Sequence, residues 1–233
     1  MTNLTSGRWY LANLANYLAM VSHMSAPLHY IHWRQTGFQD CQIGRLAAGF
    51  SSAAILSRIG LGGALERAGR RPFMLAGSIL LTLLAGAYPL LGENYTAWLV
   101  VRILQGLGLG LYFTAILTWV ADISPSEHIG KMQGVFGISG LLGSAFGPYL
   151  LEEIYRRFGF SKMFEALVLI GGACVLMVWL LPESSPHHDP PRADLRSSVA
   201  LAAHAPLILG TLPFGWLVGT VMTFIGPYLL TLT

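Results

Sequence analysis

"GGALERAGRRP", residues 62–72, gathers Glu66, Arg67, Arg70 and Arg71 into one short stretch, and the chain on either side of it carries hardly any charge. Hydrophobic residues fill 54% of the 233 positions, charged ones only 11%, and the mean hydropathy is +0.57. That balance excludes an ordinary soluble domain and a disordered chain. A helix needs about 20 apolar residues to cross roughly 30 Å of hydrocarbon, and it leaves no backbone group unpaired there. The apolar runs are too long and unbroken for barrel strands. The composition therefore predicts an all-α membrane protein in a lipid bilayer, with the charged stretch as a turn between two spans.

Seven runs have the length of a span: residues 9–31, 43–64, 72–92, 96–121, 131–151, 163–182 and 205–230. Arg45 and Arg58 fall within the second, so its ends must be wet or paired. The opening "MTNLTSGRWY" lacks the basic region, apolar stretch and small-residue cleavage site of a signal peptide, so the first span is expected to be retained. Orientation follows from the basic residues. With the N-terminus in the cytoplasm, that side holds Arg8, Arg58, Arg67, Arg70, Arg71, Lys131, Arg192 and Arg196, against Arg34, Arg45, Arg156, Arg157 and Lys162 outside. The excess predicts a multi-pass protein of the inner or plasma membrane with the 62–72 turn on the cytoplasmic face.

The polar segment "PESSPHHDPPRADLRSS", residues 182–198, reads as a linker. The expected domains are a six-helix bundle over 1–182, a cytoplasmic linker over 183–204 and a seventh helix over 205–233. His187 and His188 are adjacent in a solvated loop, and Cys41 and Cys174 have no ligand spacing, so no metal or cofactor is expected. No nucleic-acid partner is expected either.

Gly62, Glu66-Arg67, Gly69, Arg70 and Arg71 follow the spacing G-x-x-x-D-R-x-G-R/K-R/K, which resembles the signature loop between helices two and three of the major facilitator superfamily. Glu66 departs from the family's usual Asp by one methylene. The resemblance implies that this acidic residue and the arginines form a charge cluster with the cytoplasmic end of helix four and latch the outward-facing state. "WVADISPSE" at the end of span four supplies Asp122 as the implied partner. A purely topogenic arginine cluster would have the same charge.

Span four opens "RILQGLGLG", where Arg102, Gln105 and Gly106 resemble the family's R-x-x-Q-G pattern on one helical face. Arg102 either faces a wet interior or snorkels to the interface. Span five carries Gly134, Gly143 and Gly147-Pro148, similar to a helix-five motif found mainly in the family's exporters, although Leu151 and Glu152 stand where paired glycines usually follow. Small residues in such a row also suit plain helix packing. In span one, Asn13, Asn16, Met20, His23 and Pro27 recur at helical spacing and are expected to line a substrate path. His23 titrates near neutral pH and suits a coupling proton, or is satisfied by a neighbouring helix.

The family pairs two six-helix halves about the substrate site, whereas this sequence holds one half and a seventh helix. It reads as a piece of a longer transporter, with a two-copy assembly as the other way to rebuild the cavity. A retinal protein is excluded because the seventh span has no lysine, and an enzyme because no nucleophile–base pair or H-E-x-x-H cluster appears. The expected function is alternating-access transport of a small organic molecule, as proton-coupled efflux, through a cavity lined by Asn13, Asn16, His23, Arg102 and Gln105. The alternative is a non-transporting regulator that docks on a full-length relative.

Overall fold

The computed structural model describes residues 3–23, 26–59 and 61–184. The expected seventh span, and the linker beyond Ser184, lie outside the described residues. Among the described residues the helical segments are, in order, α1 (Asn3–His23), α2 (Ala26–Gln35), α3 (Asp40–Leu56), α4 (Leu61–Ala68), α5 (Arg71–Ala87), α6 (Tyr95–Ile123) and α7 (Ile129–Leu180). Short 3-10 turns follow α5 at Tyr88–Leu90 and precede α7 at Ser126–His128. Local chemistry sets the ends. Pro72 lies in the first turn of α5, where no intrahelical N–H is needed. The Asn94 side chain accepts the Ala97 N–H, 3.1 Å, at the start of α6. Extended Ser124, just before Pro125, ends it.

Among the described residues, three helical stretches are long and apolar enough to cross a membrane: Arg71–Leu90, Tyr95–Ile123 and Ser126–Leu180. The last contains two crossings. Its helix breaks at Gly159, where φ is 82° and ψ 178°, a conformation that glycine adopts without strain. A loop was expected over 152–162, but a single residue makes the reversal. Beyond it the chain runs back along α5: Phe164 meets Tyr88, and Gly171 packs against Thr82.

The expected second span is not continuous: α3 ends at Leu56, residues 57–59 form a turn, and α4 begins at Leu61. Arg58 and Gly63 weaken the helix there. Residues 24 and 25, within the expected first span, lie outside the described residues.

Helices meet through glycines. A Cβ on Gly106 would strike the Phe50 carbonyl oxygen of α3 and come within 2.9 Å of the Ala53 Cβ. One on Gly77 would lie 2.6 Å from the Gly108 oxygen of α6, and one on Gly143 2.5 Å from the Tyr17 oxygen of α1. Close backbone approach of this kind holds helices together where lipid offers no hydrophobic drive. Gly143→Val is therefore expected to cost about 1–3 kcal/mol by overpacking, read as a lower unfolding midpoint in detergent. Gly134→Val, with open space around it among the described residues, serves as the silent control. An equal loss in both would remove Gly143 from the packing argument.

Candidate functional site

Two polar features stand out in this apolar bundle. The first lies where the 62–72 turn meets the ends of α6 and α7. Gly69 has φ 84°, and a Cβ there would fall 2.5 Å from a Glu183 oxygen, so the turn admits only glycine. Arg70 follows, buried at the start of α5. Its Nε donates to Asp122 Oδ2 at 2.8 Å and its Nη1 to the Leu65 carbonyl at 2.7 Å. The side chains of the pair are 6% and 13% exposed, which makes this a buried ion pair rather than a surface one.

Glu183 closes the cluster from the far end of the chain. Its carboxylate accepts the Arg70 backbone N–H at 2.7 Å and the Arg71 N–H at 3.2 Å, placing a negative charge on the positive end of α5. Ser184 donates its hydroxyl to Asp122 at 2.8 Å, Arg71 Nη2 donates to the Trp179 carbonyl at 2.6 Å, and Trp119 Nε1 to the Pro182 carbonyl at 2.8 Å. The ends of α4, α5, α6 and α7 are thereby tied at one point.

This corrects the expected composition of the cluster. Glu66 and Arg67 are exposed, and Glu66 makes no ion pair or hydrogen bond among the described residues, while Gly62 lies inside α4. The acidic partner that the sequence reading missed is Glu183, assigned there to the linker. Its signal was position: a lone carboxylate ending an apolar span, on the same side as the arginine turn.

The second feature is an interior cavity walled by α1, α2, α5, α6 and the returning arm of α7, including Ser22, His29, Ser78, Thr82, Tyr88, Arg102, Gln105 and Tyr112. Arg102 is 6% exposed and does not snorkel. Its Nη1 donates to Gln105 Oε1 at 3.1 Å, and the Tyr88 hydroxyl donates to the same oxygen. The guanidinium sits 4.2 Å from the centre of the Phe50 ring and 5.8 Å from that of Trp33, within range of attraction to both π faces. Its Nε has no hydrogen-bond partner.

The asparagines do not share this cavity. Asn13 Nδ2 donates back to the Trp9 carbonyl at 2.8 Å, and Asn16 Nδ2 ties α1 to α7 through the Phe136 carbonyl at 3.1 Å and Ser139 Oγ at 3.0 Å. The side chain of His23 lies outside the described residues. A different imidazole, His29, lines the cavity, buried at 2% exposure among Trp33, Tyr88, Trp98 and Phe164. The sequence reading missed it because the stripe was drawn along the side of Asn13, Asn16 and His23, whereas the cavity takes Ala19, Ser22 and His29, which recur at helical spacing on another side.

The helix-five motif also divides. Gly143 and Gly147 lie against Tyr17, Met20 and Val21 of α1, and Pro148 sits within α7, whereas Gly134 is exposed and touches nothing described.

A family profile described as Major Facilitator Superfamily matches residues 5–233. The chain therefore belongs to the major facilitator superfamily and is a multi-pass membrane protein. It is 28% identical over 159 residues to probable anion transporter 6 of Oryza sativa subsp. japonica, covering 68% of this chain and 36% of that one. It is 29% identical over 120 residues to citrate exporter 1 of Aspergillus niger, covering 51% and 23%. The fold is similar to the crystal structure of a D-xylose-proton symporter, with a TM-score of 0.52, 19% identity, and coverage of 89% of this chain and 52% of that one. The chain thus spans well under half the length of these two curated relatives.

Proposed function

We propose that this chain forms the N-terminal part of a transporter that moves a small organic molecule across the cell membrane by alternating access. The observation that carries the reading is the Arg70–Asp122–Glu183 cluster. A buried ion pair that joins helix ends at one face of the bundle is a latch with two discrete states, made and broken, which is what opening that face requires. The arginine excess assigns this face to the cytoplasm. Arg102, Gln105 and His29 form the polar end of the transport cavity, and Asn16 with Gly143 and Gly147 holds the helices that move. Proton-coupled efflux is the direction we favour: a relative is named as an exporter, and two histidines, His23 and His29, fall in the first apolar run.

Orientation is tested at Ala68, exposed in the latch turn. Ala68→Cys, in a Cys41→Ser background, should react with impermeant thiol reagents only from the cytoplasmic face. Labelling from outside intact cells would overturn the topology. Direction is tested in vesicles, where a proton gradient should drive uptake of a substrate from an organic-acid panel into everted membranes. Uptake by right-side-out vesicles alone would contradict efflux.

A further inference from the structure

We infer that the cavity beside Arg102 binds a monovalent anion. The site deepens the transport reading by naming the charge of what it holds, and rests on that reading only for where the anion comes from. A buried guanidinium that lacks a counter-charge is strongly disfavoured, and such charges in proteins are paired. Among the described residues every ion pair is made by Arg34, Arg70, Arg156, Arg157 or Lys162, and none by Arg102. Its contacts are neutral: the Gln105 amide oxygen, the Tyr88 phenol and the faces of Phe50 and Trp33. Ring faces attract a cation, but they do not neutralise it.

The orphaned atom belongs to a residue that borders the empty space. Arg102 Nε is buried without a hydrogen-bond partner, and Arg102 lines the cavity. The Ser78 and Thr82 hydroxyls already donate to the carbonyls of Leu75 and Ser78, at 3.1 and 2.8 Å. Tyr112 lines the same wall, its hydroxyl 3.9 Å from the Cys174 sulfur, whose single proton has the Ala15 carbonyl at 3.4 Å as its nearer acceptor. A cationic donor and a phenol therefore border a small space. That donor set suits a halide, or the carboxylate head of a larger molecule, and both present the same single negative charge.

Trp33 reports on the site directly, because its ring centre is 5.8 Å from the guanidinium carbon. The purified protein is titrated with iodide at constant ionic strength against gluconate, and tryptophan quenching is followed. The site predicts a saturable component on top of linear collisional quenching, lost in Trp33→Phe and weakened at least tenfold in Arg102→Gln. Competition then distinguishes the sources. Displacement of iodide by chloride and formate alone supports a free small anion, and displacement by benzoate as well supports the head of a larger carboxylate. Purely linear quenching in the wild type, or a saturable component unchanged in Arg102→Gln, would overturn the site. Should Arg102→Gln fail to fold, the wild-type titration and Trp33→Phe decide alone. Anion binding without any solute flux would sink the transport reading and leave this site standing, whereas flux with linear quenching would do the reverse.

Discussion

Asp122→Asn is expected to lower stability by about 3 kcal/mol and to abolish transport, whereas Glu66→Gln should change either by little. Removing one member of a buried pair leaves the other charge uncompensated, at a cost of about 3–5 kcal/mol. The lower end applies here, because Asp122 is partly exposed and Arg70 keeps its bond to the Leu65 carbonyl. Glu66 is exposed and unpaired among the described residues, so its change falls in the range of ordinary surface substitutions, roughly ±0.5 kcal/mol. Glu183→Gln should lie between, since it loses the charge that caps α5 but keeps a side-chain acceptor, at about 0.5–2 kcal/mol. Unfolding midpoints in detergent and flux in vesicles, each normalised to protein in the membrane, check the order. Equal losses from Glu66→Gln and Asp122→Asn would show that the family-position carboxylate, and not the pair seen here, governs the turn.

Arg102→Lys should lose transport almost as completely as Arg102→Ala. The guanidinium is planar, donates to Gln105 and lies against two aromatic faces at once. A compact ammonium on a flexible stem cannot fill that slot, and it is more strongly hydrated, so it is harder to bury. Loss of tenfold or more in flux is expected from both variants. Wild-type flux in Arg102→Lys would mean that only a positive tip is required and would remove the cavity role.

What was legible in the sequence was whatever repeats along one uninterrupted helix or one turn. Arg102, Gln105 and Gly106 were placed together by helical spacing, and α6 carries them without a break. Arg70 and Asp122 were matched through the family pattern, and they meet at 2.8 Å. The failures come from the choice of helical face and from distance. The stripe through Asn13, Asn16 and His23 follows one side of the first apolar run, whereas the wall beside Arg102 takes Ala19, Ser22 and His29 from another. Glu183 is separated from Arg70 by 113 positions, so no local periodicity links them. Its proline-rich surroundings looked like linker, yet Glu183 and Ser184 are part of the cluster. Gly134, Gly143 and Gly147 share a motif but not an environment, because only the last two face α1.

The claim that the cluster is a latch on an alternating cavity is tested most directly by thiol access to Ser22→Cys, a cavity-lining position, in a Cys41→Ser background. Labelling rates are measured from each face of the membrane, with and without Asp122→Asn. The account predicts labelling from both faces in the unmutated latch, and a reciprocal change when the latch is broken: faster from the face that carries Arg70, slower from the other. Access from a single face, or rates that rise together on both faces, would contradict it.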